Sequence, residues 1–209
     1  MSHVVITGGS RGIGAALVDG YRDRGDTVSA PARDVLDMAK PGSITSWART
    51  CSAPVNLLVC NAGIYEDREE SLANGYPAAM WGRSFATNVT GVFLLVQALL
   101  PQLQAARHAK VAIISSQMGS STQASGTSLI YRTSKAAALN LGFNLANGLR
   151  ADGIAVGIYH PGWVRTDMGG AAADLSVEAS RDGLMARFDA LTMATTGRFD
   201  TWDGRPHPV

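Results

Sequence analysis

Apolar residues fall along the chain in short dense runs, separated by longer stretches with helical spacing. His3–Thr7, Thr27–Ala32, Val55–Asn61, Val111–Ser116 and Ile154–Tyr159 have the β-branched and apolar density of strands buried on both faces. Between them, Gly12–Arg24, Ala78–Ala106, Leu129–Ala151 and Ser176–Leu191 read as helices. Ser176 stands at an N-cap with Glu178 in the first turn, and Gly91 weakens the Ala78–Ala106 helix enough to bend it. Strands alternating with helices predict βαβ units and a mostly parallel sheet, in one doubly wound α/β domain over residues 1–209. One interval is short. Pro31–Asp37 passes almost directly towards the next strand, where a helix and a third strand are usual, so the reading is a trimmed crossover or a third strand of very few residues.

Composition narrows the class. The chain has 209 residues, 46% of them hydrophobic and 17% charged, with 23 glycines, as suits buried parallel strands covered by helices. A net charge of +1 gives no electrostatic case for nucleic acid or an anionic membrane. Cys51 and Cys60 lack metal-ligand spacing and read as thiols of a reducing compartment. The apolar run from Val92 is broken by Gln97 and ended by Pro101, too short to span a bilayer, and the N-terminus runs straight into a strand. The expectation is a soluble cytoplasmic protein with neither a nucleic-acid nor a membrane partner.

Candidate chemistry sits at strand ends. Thr7-Gly-Gly-Ser-Arg-Gly-Ile-Gly14 joins the first strand to the first helix, where glycines let a backbone approach a pyrophosphate resting on helix N–H groups. Without a ligand the same stretch would be only a Gly-rich turn. Asn61-Ala62-Gly63 ends another strand, and is either an ordinary turn or part of a ligand crevice. Asn88 is a polar residue in an apolar helix, read as a satisfied buried amide or as a backbone-distorting group that holds a relay water. Ser116 could stabilise charge on a substrate oxygen, and adjacent Ser115 would point the opposite way in an extended strand. Tyr131 and Lys135, four apart, share a helical face, and the ammonium is expected to lower a phenol pKa that starts at about 10. Pro161-Gly-Trp-Val-Arg-Thr166 follows the strand ending at Tyr159. No His/Cys/Asp cluster suggests a metal.

In this order the motifs TGGSRGIG, NAG, the Asn88 segment, SSQMG, YRTSK and PGWVRT resemble the short-chain dehydrogenase/reductase family over nearly the full length. YRTSKAAALN, HPGWVRTDMGG and GRFDTWDG are similar to the small carbonyl reductases related to C-factor signalling proteins. The resemblance implies a single Rossmann-fold domain, shortened between its second and fourth strands. It implies hydride transfer between a nicotinamide and a small carbonyl or alcohol substrate. Tyr131 would be the acid/base, Lys135 would bind the ribose and tune Tyr131, Ser116 would orient the substrate oxygen, and Asn88 would support a water. The cofactor residues implied are Gly8, Ser10, Arg11, Gly12, Ile13, Gly14, Arg33, Asp34, Val35, Asn61, Ala62, Gly63, Asn88, Tyr131, Lys135, Pro161, Gly162, Val164 and Thr166. Asp34 aligns with the adenine-pocket aspartate. The position that is acidic in NAD users falls at Ala32, with Arg33 beside it and Arg11 in the glycine loop, so NADP(H) is favoured over NAD(H).

The Ser116–Tyr131 gap is longer than the family's usual, which puts an insertion in Ser120–Thr127, expected to shape the pocket entrance. The segment after Met168 is short, which implies a small lid. Relatives form homodimers or homotetramers through the Ala78–Ala106 and Leu129–Ala151 helices. Leu139, Leu141, Phe143 and Leu145 are compatible with such an interface, burial in the core being the more economical reading of most. A rival class is a cofactor-binding signalling protein of the same fold with little turnover.

Overall fold

The computed structural model describes residues 1–209. Six strands, β1 (His3–Ile6), β2 (Thr27–Ser29), β3 (Leu57–Cys60), β4 (Lys110–Ile114), β5 (Ala155–His160) and β6 (Phe199–Thr201), form one sheet in the order β2-β1-β3-β4-β5-β6. Every neighbouring pair is parallel. Side-chain alternation divides each strand between two cores. Val5, Leu58, Val111 and Ile113 face α2 (Pro41–Ala48), α4 (Gly91–Ala98) and α6 (Leu129–Gly148). Val4, Ile6, Leu57, Val59 and Ala112 face α1 (Gly12–Asp23) and α7 (Val177–Ala190). Burial on both faces is why these runs are continuously apolar. The result is the doubly wound arrangement, whose strand C-termini all open on one edge of the sheet.

The short interval contains no third strand. Residues 31–40 run as turns straight into α2, which the sequence pattern did not reveal because Pro41 and Gly42 open it and only Ile44 and Ala48 are buried. β6 is a further addition, three residues long with Asp200 in its middle. The expected Ala78–Ala106 helix is divided into α3 (Ala78–Phe85), a π-helical turn over Ala86–Thr90, α4, and α5 (Leu100–Gln104). Gly91 allows close approach there, since a Cβ would overlap the Met38 carbonyl oxygen. The register break itself is the π-turn carrying Asn88. Ser176 caps α7 as expected, its Oγ accepting the Ala179 N–H at 3.1 Å. Leu139 is buried, and Leu141, Phe143 and Leu145 pack against the cores, in keeping with the core reading. No helix is long and apolar enough to cross a membrane.

Candidate active site

The strand C-termini border a cleft of about 530 Å³, within the ~300–1,000 Å³ range of small-molecule sites. At one end the chain turns from β1 into α1. Gly8 adopts φ +68°, and a Cβ on Gly14 would overlap the Gly8 carbonyl oxygen, so only glycine lets the helix start against the loop. No side chain caps α1, which leaves its first N–H groups for a ligand. Thr7 Oγ1 accepts the N–H groups of Asn61 and Ala62, each at 3.0 Å. The Asn61 amide donates back to the Thr7 carbonyl at 3.0 Å. The glycine loop and the Asn61–Gly63 turn are thus one hydrogen-bonded unit. Their cradle, open helix N-terminus and basic rim fit a dinucleotide.

Tyr131 and Lys135 stand on the buried face of α6 at the other end, with Lys135 Nζ 5.6 Å from the Tyr131 ring centroid. Ser116 lies beside the Tyr131 phenol, and its Oγ accepts the Met118 N–H at 3.1 Å. Ser115 is counted among the residues lining the cleft, but its Oγ is taken up by the Lys135 carbonyl at 2.9 Å, which leaves Ser116 as the hydroxyl next to Tyr131. Lys135 Nζ donates to the Ile114 carbonyl at 2.9 Å. The expected lowering of the phenol pKa is overturned. Burial raises Tyr131 to about 12, outweighing the lowering effect of the neighbouring Ser116. Burial also pulls Lys135 down to about 8.

Asn88 is a satisfied buried amide, as the first of its readings has it, and it stands in a distorted π-turn. Its Oδ1 accepts the Ile64 N–H at 2.9 Å, and its Nδ2 donates to the Ile64 carbonyl and to Ser134 Oγ, each at 3.0 Å. The amide is satisfied, and it ties the distorted π-turn to α6 and to the loop after β3.

Of the expected cofactor residues, Gly8, Ser10, Arg11, Gly12, Ile13, Gly14, Arg33, Asn61, Ala62, Gly63, Tyr131, Lys135, Pro161 and Thr166 line this cleft. Asp34 and Val35 do not. The lining runs through Leu36, Asp37 and Met38 instead, three positions further on, because the chain turns outward at Val35 before folding back. Asp37 is fixed there, its N–H donating to Ser43 Oγ and its carboxylate accepting the Ala39 N–H. Gly162 faces a neighbouring cavity, and Val164 is buried, in a bridge with Leu175. Arg11 reaches across the cleft mouth to Asp167 at 3.0 Å.

A further group had no signal in the sequence. Tyr65 stacks on Tyr131 with centroids 4.3 Å apart and planes 21° apart, and its hydroxyl meets Ser128 Oγ at 2.6 Å. Asp67, 1% exposed, accepts the Ile130 N–H at 2.7 Å and the Tyr131 N–H at 3.2 Å. It caps α6 from 63 residues away in sequence, because Ser128 at the N-cap is left-handed (φ 51°) and makes no cap bond. Arg68 lies 4.8 Å from the Tyr65 centroid and donates to the Met168 carbonyl.

Residues 32–175 match the family model for short chain dehydrogenases. The chain belongs to the short-chain dehydrogenase family. This short-chain dehydrogenase is 34% identical over 160 residues to the C-signal of Myxococcus xanthus, with 76% of this chain and 95% of that protein covered. It is 30% identical over 223 residues to the 1-hydroxy-2-glutathionyl-2-methyl-3-butene dehydrogenase of Rhodococcus sp. (strain AD45), with 98% of each covered. Among solved structures, NADPH-bound carbonyl reductase from chicken fatty liver superposes with a TM-score of 0.91 at 29% identity, with 100% of this chain and 99% of that one covered.

Proposed function

We propose that this short-chain dehydrogenase interconverts small carbonyl compounds and alcohols with NADP(H), and that Tyr131 is its acid/base. The observation that carries this reading is the pairing of Tyr131 and Lys135 on the cleft wall, with Lys135 Nζ 5.6 Å from the Tyr131 ring, at the end opposite the glycine loop. The bound nicotinamide supplies the hydride; the chain's own groups position the substrate and move the proton. Ser116 holds the substrate oxygen against the Tyr131 phenol, which donates its proton to that oxygen in reduction and takes it back in oxidation. Lys135 holds the ribose, and Asn88 holds the π-turn against α6. Pro161 and Thr166 meet the nicotinamide end, while Leu36–Met38 border the adenine end.

Arg33 supports the preference for NADP(H): it lines the cleft and has no carboxylate partner, whereas Arg11 is paired with Asp167. The chicken carbonyl reductase carries NADPH. NAD(H) is the weaker candidate. The relative named C-signal favours the rival reading, a cofactor-binding signalling protein with little turnover.

One experiment separates the two readings: NADPH oxidation against a panel of aldehydes, ketones and quinones, for wild type and Tyr131→Phe. The enzyme reading expects turnover that falls by roughly 10²–10⁴-fold in Tyr131→Phe, the scale of lost general acid catalysis, with NADPH affinity unchanged. NADPH binding without turnover of any carbonyl supports the rival, and equal rates in the two proteins remove Tyr131 from the proton role.

A further inference from the structure

The loop that leaves β3 brings two side chains, Tyr65 and Asp67, against the start of α6. The chain is fixed just before this pair, because the Asn88 amide bonds both the N–H and the carbonyl of Ile64. It is fixed again at Asp67, whose buried carboxylate takes the N–H groups of Ile130 and Tyr131. Tyr65 stands between these anchors, and its ring stacks on that of Tyr131 with centroids 4.3 Å apart and planes 21° apart. Its hydroxyl meets the Oγ of Ser128 at 2.6 Å, and Ser128 is itself only 4% exposed. Backbone on both sides and the hydroxyl at its tip thus hold the Tyr65 ring in place.

Tyr131 needs such support. It stands in the first turn of α6, where the N-cap residue Ser128 makes no cap bond, so the helix does not hold its own start. Ser128 also adopts a left-handed backbone (φ 51°), a strained conformation that persists where its neighbours over-determine it. A stacked ring limits the swing of the Tyr131 phenol, and a reacting group displaced by about 1 Å can cost about 10²-fold in rate. Arg68 carries the arrangement further. Its guanidinium carbon lies 4.8 Å from the Tyr65 centroid, and the same guanidinium donates to the Met168 carbonyl. Met168 lines the cleft together with Thr166 and Asp167, whereas neither Tyr65 nor Arg68 does.

We propose that Tyr65 is a positioning residue for the acid/base, its ring setting where the Tyr131 phenol meets the substrate oxygen, and that Arg68 registers that ring against the cleft-lining segment after β5. The inference rests on the carbonyl-reductase reading and adds two residues that act through Tyr131.

The test follows NADPH-dependent reduction of menadione and p-nitrobenzaldehyde by wild type, Tyr65→Phe, Tyr65→Leu, Arg68→Ala and the double variant of Tyr65→Leu with Arg68→Ala. Tyr65→Leu is expected to lower kcat about tenfold, the full value of one aromatic pair acting on the transition state, with the KM for the carbonyl within about twofold. Tyr65→Phe keeps the ring and restores most of kcat. Arg68→Ala, at an exposed position, should lower kcat about threefold, the scale of an exposed cation–π contact. It should add nothing in the Tyr65→Leu background, because it acts through that ring. An unchanged kcat in Tyr65→Leu overturns the proposal. So does a Tyr65→Phe protein as slow as Tyr65→Leu, which assigns the effect to the hydroxyl, or a loss confined to KM, which makes Tyr65 a substrate contact. Should Tyr65→Leu not melt as wild type does, Arg68→Ala decides in its place, a loss of kcat at constant KM supporting the proposal and an unchanged kcat overturning it. If wild type reduces no carbonyl, the carbonyl-reductase reading fails, and NMR of protein labelled with ring-¹³C tyrosine decides the stack separately, with Tyr131 assigned through Tyr131→Phe. Faster flipping of the Tyr131 ring in Tyr65→Leu than in Tyr65→Phe supports it, and equal flipping overturns it.

Discussion

Asp67 offers the sharpest quantitative test of how the site is held. Its carboxylate, 1% exposed, bonds the N–H groups of Ile130 and Tyr131 and so fixes the first turn of the helix that carries the acid/base. In Asp67→Ala both N–H groups lose their acceptor inside the protein. An ionised acceptor on a backbone N–H contributes about 1.5–3 kcal/mol, and a lost N-cap costs about 0.5–2 kcal/mol. Because one of the two bonds is long and water can partly replace it, a net loss of about 2–4 kcal/mol is expected. For a chain of this size that corresponds to roughly 4–16 °C in Tm, read by circular dichroism. Asp67→Asn keeps one acceptor oxygen and should lose about half as much. The kinetic consequence is more specific. Tyr131 sits in the first turn, so kcat should fall at least about tenfold, while NADPH affinity, shared with the glycine loop at the far end of the cleft, should fall less. An Asp67→Ala protein that melts with wild type and turns over normally would show that this carboxylate does not hold Tyr131.

Two further outcomes follow from the charges around the cleft. Arg33→Ala should raise the Kd for NADPH by about 10–100-fold, the value of a charge-assisted contact to phosphate, and leave that for NADH unchanged; parallel losses for both cofactors would place Arg33 away from the distinguishing phosphate. The kcat/KM for reduction should fall on a basic limb near about 8, as Lys135 loses its proton, and Lys135→Arg should push that limb upward; a limb that stays put belongs to another group.

The sheet was legible because burial on both faces confines the charged and imidazole side chains of β1, β3, β4 and β5 to strand ends, at His3, Lys110 and His160, a pattern little else produces. β6 and α2 were not. Three residues around Asp200 carry no period, and α2 buries only Ile44 and Ala48 behind an opening Pro-Gly. The glycine loop, Tyr131 and Lys135 could be read because their spacing is itself the geometry, set by a tight turn and one helical turn. Asp34 could not be told from Asp37, since two aspartates three apart in a segment without regular structure leave the register to tertiary packing. Asp67 and Tyr65 lie furthest from sequence reasoning. They reach α6 across 63 and 66 residues, and nothing local to either end marks the contact.

The electrostatics of the pair bear on how each direction of the reaction depends on pH. Lys135 was expected to supply a positive charge strong enough to favour the phenolate, yet burial acts on both groups at once and disfavours each charged form. With Tyr131 raised to about 12, its phenol keeps its proton at neutral pH and stands ready to donate it, as reduction requires. Oxidation requires the phenolate, which must be formed against that burial. The Tyr65 ring reinforces the bias: stacked at 4.3 Å, it shields one face of Tyr131 from water that would stabilise the anion. Lys135 bonds the Ile114 carbonyl, so its charge is partly spent on the backbone and not on the phenol. On the carbonyl-reductase reading, a raised Tyr131 pKa means that the rate of alcohol oxidation should rise with pH, measured with NADP⁺ and a secondary alcohol, and a pH-independent oxidation rate would refute it.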